Sequence, residues 1–331
     1  MPLGTKMQTM SEGAETMTGK PSIEDFNFSG VIAPVLTPFG EDGAPDPDRF
    51  IEHAEWLLSD AGGCTGLAPF GTTSEANSLG LDERMELLED LVDAGIEPLS
   101  LMPGTGTCSL QDTAILTQHA MDLGCGGVLM LPPFYYKMPS EEGLFRYFAE
   151  VFEEVGDDRL KVYLYHIPPI SQVGFPLTLI DRLRKEFPET VVGLKDSSGD
   201  WNNMKEILEA FPGFEMFPGT EVYLLDGLKH GAAGTISASA NVSGKLMREL
   251  FDDWQGADAE AKQAKISALR TTIQSFPMIP TLKMLVAHFR NDKGWSQLRP
   301  PFTALSTEEA KRAIGAIISE HNFTMDVSLE A

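Results

Sequence analysis

Thr190-Val191-Val192-Gly193-Leu194-Lys195, running on into Asp196-Ser197-Ser198-Gly199, is an apolar strand that ends on one amine where a small polar loop begins. Side chains alternate across a strand, so Val191, Gly193 and Lys195 are expected on one face and Val192 and Leu194 on the other. If the second face packs on helices, as in a parallel barrel, the first points inward and Gly193 leaves little bulk beneath the lysine at the barrel mouth. An amine buried in such a place gives up its proton more readily and becomes a nucleophile, which is what Schiff-base chemistry requires. In isolation the same residue also reads as a solvated strand end or as the partner of Asp196.

This run is the sixth of eight. Short apolar stretches occur at residues 31–36, 65–70, 99–103, 127–132, 161–166, 190–195, 214–217 and 233–236. Between them lie segments with helical spacing, such as Leu81, Met85, Leu88, Val92 and Leu144, Phe148, Val151, Val155, each giving one apolar face. Ser140 and Asp200 supply helix N-caps after the fourth and sixth runs. A doubly wound open sheet would share much of this alternation, but the count of eight points to an α/β (β/α)8 TIM barrel. Helical stretches at residues 257–276, 279–289 and 307–321 follow, the last opened by a capping box at Ser306-Thr307-Glu308-Glu309. The expected organisation is a flexible tail over residues 1–25, a catalytic barrel over 26–256 and a C-terminal helical extension over 257–331.

Composition narrows the function. The chain has 331 residues, 42% of them hydrophobic and 22% charged, ample material for one large core. A net charge of −24 argues against nucleic acid and against an anionic membrane surface as partners. No apolar stretch approaches the length of a membrane span. Cys64, Cys108 and Cys125 are odd in number and lack CxxC spacing, which fits a reducing compartment and a cytoplasmic protein. None of the six histidines sits at a metal-ligand spacing such as HExxH, and no metal site is expected.

In a β/α barrel the chemistry gathers at the C-terminal strand ends. After the second run, Gly71-Thr72-Thr73-Ser74-Glu75 offers hydroxyls and backbone N–H groups that could cradle a carboxylate. The fifth run ends Lys161-Val162-Tyr163-Leu164-Tyr165. With its aliphatic face on the helices, Tyr165 points inward at the height of Lys195 on the next strand, about 4.8 Å away. A phenol there can pass protons to a reacting carbonyl; it can equally be a packed aromatic whose hydroxyl finds a nearby acceptor. The fourth run ends in the aromatic cluster Pro133-Phe134-Tyr135-Tyr136-Lys137, suited to closing a pocket or crossing into a partner subunit. The seventh ends Pro218-Gly219-Thr220-Glu221, where Glu221 can contact substrate hydroxyls or charge the next helix.

Taken in order, Gly71-Thr72-Thr73-Ser74-Glu75, Pro133-Phe134-Tyr135-Tyr136, Tyr165-His166-Ile167-Pro168, Gly193-Leu194-Lys195-Asp196 and Gly234-Thr235-Ile236-Ser237 resemble the dihydrodipicolinate synthase/N-acetylneuraminate lyase family. The resemblance runs from about Gly30 to Phe323. It implies a (β/α)8 barrel with a C-terminal helical extension and a class I aldolase that works through a lysine Schiff base on pyruvate or another 2-oxo acid. By the resemblance, Lys195 is the Schiff-base lysine and Tyr165 the proton shuttle. Thr72 and Thr73 hold the 2-oxo acid carboxylate and relay protons, and Tyr135 or Tyr136 is the tyrosine that reaches a neighbouring subunit's relay. Tyr136 is counted with Lys195, Tyr165 and Thr73 as catalytic. Tyr135, Ser197, Gly219, Glu221 and the Ile236 carbonyl are counted on the substrate side. It also implies a homotetramer, a dimer of dimers, and no cofactor, because the protonated imine is itself the electron sink.

Departures bear on the substrate. The synthases carry an arginine shortly after the strand-five tyrosine, whereas Tyr165-His166-Ile167-Pro168-Pro169-Ile170-Ser171 has none. Glu221 matches an acidic position of the sialic acid lyases, but Val222 and Ala238 depart from that pattern, and Ser74 stands where the family has glycine. The expected activity is therefore cleavage or formation of a C–C bond between pyruvate and an aldehyde through an imine on Lys195. The alternatives are dehydration or deamination of a 3-deoxy-2-oxo sugar acid or a hydroxyproline-derived compound, 4-hydroxy-tetrahydrodipicolinate synthesis, or a non-catalytic binding protein that keeps the barrel.

Overall fold

The computed structural model describes Ile23 and residues 26–328, so the tail expected over residues 1–25 lies, Ile23 apart, outside the described residues. Among the described residues seven parallel strands are formed: β1 (Gly30–Ala33), β2 (Gly66–Leu67), β3 (Val128–Met130), β4 (Val162–His166), β5 (Val191–Asp196), β6 (Glu215–Pro218) and β7 (Gly234–Ile236). They pair in the orders β2-β1-β7 and β3-β4-β5-β6.

Two seams close these sheets into a TIM barrel. At one, the Ala233 N–H donates to the Met216 carbonyl at 2.9 Å, joining β7 to β6. At the other, the third expected strand, residues 99–103, takes a different form: Pro98–Ser100 is a 3-10 turn, and the chain beyond it makes only single bridges, Leu67 with Leu101 and Gly104 with Leu129. Met102 N–H donates to Leu67 O at 2.8 Å on one side, and Leu129 N–H to Pro103 O at 2.9 Å on the other. Pro103 has no N–H to add to a ladder. Gly104 is needed because a Cβ there would lie 2.2 Å from the Phe70 carbonyl oxygen. The eighth stave is present, but narrow.

Helices wrap the barrel. In α4 (Glu141–Val155), Leu144, Phe148, Val151 and Val155 are all buried, each contributing about 1.5–3 kcal/mol of transfer free energy. Ser140 caps it by accepting the Gly143 N–H, and Asp200 caps α7 (Trp201–Ala210) through the Asn202 N–H. The apolar residues fall into two clusters. Val162, Leu164, Leu194 and Met216 pack outward on the helices, while Ile32, Met102, Tyr163, Tyr165, Phe217 and Ile236 fill the barrel.

The alternation expected for residues 191–195 fails at one place. Val162 pairs with Val191 but Tyr163 with Gly193, so the register slips at Val192. Such a bulge turns one residue over. Val191 consequently packs outward and Val192 against the interior cluster, while Gly193 and Lys195 keep the expected inward face. Nor is the space beneath the lysine empty: a Cβ on Gly193 would meet the Tyr163 ring at 2.4 Å, so the glycine makes room for that ring.

The C-terminal extension consists of α10 (Ala259–Gln274), α11 (Met278–Arg290) and α12 (Thr307–Ile314), the last running on as a wider π-helical turn through Ser319. The capping box at Ser306 forms, with its hydroxyl accepting from Glu309 N–H and its own N–H donating to the Glu309 carboxylate at 2.9 Å. After α11 the chain clamps the loop that follows β2 and the start of the helix beyond it, Leu81–Asp93. Arg299 holds Glu83 through two nitrogens at 2.6 and 2.5 Å and donates its own backbone N–H to Glu75 at 3.1 Å. Among the described residues no helix is long and apolar enough to cross a membrane.

Candidate active site

Tyr165 and Lys195 are register partners on β4 and β5. Both side chains face the mouth of the barrel, where the lysine is 3% exposed. Its Nζ lies 4.3 Å from the centre of the tyrosine ring. The Tyr165 hydroxyl is 3.2 Å from Thr72 Oγ1, so the phenol spans from the lysine to the loop after β2. An oxygen in that position can take a proton from a group bound at the lysine and hand it to a hydroxyl.

The threonine loop is fixed from below and behind. Glu75 adopts a left-handed backbone, φ 56°. Its buried carboxylate pairs with Lys283 of α11, Nζ to Oε1 2.5 Å. Burial pushes the Lys283 amine down to about 8, and Glu75 opposes that shift. Ser74, the serine where the resembling family has glycine, donates to Val35 O at 2.5 Å and so ties the loop to the segment after β1. Its carbonyl accepts from Thr37 Oγ1 at 2.8 Å.

The loop after β5 is equally determined. Asp196 accepts the Ser198 N–H at 2.7 Å and the Asn203 amide at 2.5 Å, which holds the turn that carries Ser197. Ser197 N–H donates to His166 O at 2.7 Å. His166 accepts the Phe175 N–H on Nδ1 at 3.0 Å, and burial holds it below the usual histidine range although Asp196 pulls the other way. A Cβ on Gly219 would sit 2.0 Å from Ser197 Oγ, so the glycine lets the ends of β5 and β6 pack together.

These residues line one cavity of about 470 Å³ over Lys195. Thr72, Thr73, Tyr165, Lys195, Ser197 and Gly219 all contribute to it, six of the residues expected at the site. Its remaining wall comes largely from the C-terminal extension: Arg270 and Gln274 of α10, Met278, Ile279 and Pro280 of α11, and Phe302 beyond it.

Four expected residues lie elsewhere. Ile236 is in the barrel interior, in register with Ile32. Glu221 is 1% exposed and turned away from the cavity lining. Its carboxylate accepts hydrogen bonds from both Ser237 and Ser239 and lies 3.5 Å from Arg270 Nη1. Tyr135 and Tyr136 stand 73% and 79% exposed, packed edge to face on each other at 5.3 Å.

Arg270 was not singled out from the sequence, although a signal existed. Ile266, Leu269 and Ile273 form the buried stripe of α10, and position 270 falls within that stripe by helical spacing. A charged residue there needs a buried partner or a cavity.

Comparison with known proteins gives a consistent result. The dihydrodipicolinate synthetase family matches residues 27–321. An uncharacterized DapA-like lyase of Chloroflexus aurantiacus is 37% identical over 281 residues, 85% of this chain and 93% of that protein. A 4-hydroxy-tetrahydrodipicolinate synthase of Thermus thermophilus is 36% identical over 236 residues, 70% of this chain and 77% of that one. Among solved structures, dihydrodipicolinate synthase of Agrobacterium tumefaciens superposes with a TM-score of 0.82 at 33% identity, covering 88% of this chain and 99% of that one. The N-acetylneuraminate lyase of Fusobacterium nucleatum, at 21% identity and a TM-score of 0.78 over 88% and 98% of the two chains, shares the fold.

Proposed function

Because this chain belongs to the dihydrodipicolinate synthetase family, matching it over residues 27–321, we propose that the lyase works through an imine on Lys195, joining pyruvate to an aldehyde or releasing both from a larger 2-oxo acid. The observation that carries this reading is the contact of Lys195 with the Tyr165 ring, together with the Tyr165–Thr72 hydrogen bond, inside one cavity.

Thr72 and Thr73 hold the substrate carboxylate. The Lys195 amine adds to the C2 ketone, and loss of water leaves the protonated imine. Tyr165 takes the proton of the C4 hydroxyl and the C3–C4 bond breaks. Its electron pair flows into the imine, giving an enamine, and the aldehyde departs. A proton then returns to C3 and water hydrolyses the imine, freeing pyruvate and the amine. Condensation is the same sequence reversed.

The exposed Tyr135 and Tyr136 support a homotetramer in which Tyr136 joins the relay of an adjacent subunit. Three free thiols, Cys64, Cys108 and Cys125, support a cytoplasmic setting.

Borohydride reduction in the presence of pyruvate tests the chemistry. A mass increment on Lys195, absent in Lys195→Ala, is expected; no increment on the wild-type lysine overturns the proposal. Release of pyruvate with an aldehyde separates cleavage from dehydration or deamination on the same imine.

A further inference from the structure

The cavity over Lys195 belongs to a chain of net charge −24, yet among the described residues no carboxylate lines it. Its two charged lining residues, Lys195 and Arg270, are both cationic. With Lys195 engaged at the ketone as the protonated imine, Arg270, backed by the buried Glu221 carboxylate at 3.5 Å, is the other charged lining residue and the one left to meet the rest of the substrate.

Arg270 is built in rather than merely exposed. Its side chain is 11% exposed. Nη1 donates to Ser237 at 3.1 Å and Ser239 at 3.2 Å, and Nε to Gln274 at 3.4 Å. The same two serines donate to Glu221, which is thereby a brace that sets the guanidinium from behind. Among the described residues, Nη2 has no hydrogen-bond partner. A sheltered guanidinium with a donor unspent is placed to bind an acceptor.

Its position follows the order of the staves. Thr72 and Thr73 come from the loop after β2 and Lys195 from β5, which fixes where the first two substrate carbons sit. The rest of the molecule faces Ser197, Gly219 and Thr220, at the ends of β5 and β6, and then Arg270, whose serine partners follow β7.

We infer that Arg270 receives a carboxylate at the end of the substrate remote from the ketone, so that the site takes 2-oxo acids whose aldehyde half is itself an acid. The guanidinium fork matches the two oxygens of a carboxylate. This inference rests on the imine reading of Lys195. It also gives an anion-binding role to a helix of the extension, in a chain whose Tyr165–Ser171 stretch holds no arginine.

The test is condensation of pyruvate with succinic semialdehyde and with butanal, beside glyceraldehyde phosphate and glyceraldehyde, for wild type, Arg270→Lys and Arg270→Gln. Wild type is expected to favour succinic semialdehyde over butanal by about 10-fold or more in kcat/KM, and Arg270→Gln to reduce that ratio about 10–100-fold, the range of one charge-assisted hydrogen-bonded pair. Arg270→Lys falls between. The ratio is taken within each enzyme, so a general loss from altered folding cancels. Equal use of butanal, a preference confined to the phosphate pair, or a ratio untouched in Arg270→Gln overturns the inference. Borohydride trapping of pyruvate on the wild type is run alongside. No adduct fails the imine reading, whereas an adduct without carboxylate preference fails this inference alone.

Discussion

Lys283 on α11 sets its ammonium 2.5 Å from a carboxylate oxygen of Glu75, with both side chains fully buried. The pair fastens the C-terminal extension to the loop that carries Thr72 and Thr73. Removing one member strands the other charge in the interior, so Lys283→Met alone is expected to cost about 3–5 kcal/mol, and the double variant Glu75→Gln/Lys283→Met clearly less. Denaturation midpoints for the single and double variants decide this. A double variant as unstable as the sum of its singles would refute the pairing.

The same pair predicts a pH dependence. Lys283 releases its proton near 8 in the folded protein, against 10.5 for an ordinary lysine, chiefly through burial. Unfolding therefore takes up a proton between those two values, and this group's contribution to stability rises with pH across that window. Below it the full cost of burying the ammonium is present. Compared with the Glu75→Gln/Lys283→Met variant, wild type is expected to gain thermal stability from pH 7.5 upward, the approximate foot of that transition. A difference flat in pH speaks against it.

Tyr165→Phe removes the hydroxyl that reaches Thr72 while keeping the ring that Lys195 packs against. Proton transfer should suffer and imine formation survive, giving a kcat lower by about 10²–10⁴-fold with pyruvate still trapped on Lys195. Loss of trapping together with turnover would instead make the tyrosine a structural support of the lysine.

A Cβ at Gly193 would lie 2.4 Å from the Tyr163 ring and 2.5 Å from the Glu215 carbonyl oxygen. The ring can shift, but the backbone of β6 cannot move without breaking its ladder. Gly193→Ala is accordingly expected to cost about 1–3 kcal/mol, the usual penalty for overpacking. An unchanged melting temperature would mean that the barrel floor is looser than it looks.

Tyr135 and Tyr136 are bulky and exposed on a single chain. Sedimentation of the wild type should give a tetramer, and Tyr136→Phe should lower kcat without altering assembly if its hydroxyl serves an adjacent site. A monomeric wild type with full activity removes that role.

Much of the barrel was legible because each run carries its own period. Tyr165 and Lys195 face each other as expected, and period-two alternation needs only local sequence. Val191 does not follow it, because the bulge at Val192 arises from how β4 and β5 fit together rather than from β5 alone. The third stave was readable as an apolar run but not as bridges, since its form depends on Gly104 approaching Phe70. Glu221 was expected among substrate contacts; it is held instead by Ser237, Ser239 and Arg270, residues of two other elements. Arg270 itself lies far along the chain from every strand-end motif, and only the docking of α10 brings it to the mouth.

The floor of the cavity and its ceiling thus come from different stretches of chain. Barrel staves carry the amine, the phenol and the threonines, while α10, α11 and Phe302 supply much of the opposite wall. Changes in the ceiling can retune which aldehyde is admitted without disturbing the nucleophile beneath. Selection thus has two handles, one for bond chemistry and one for substrate choice, and they are joined where Lys283 of α11 pairs with Glu75 of the threonine loop.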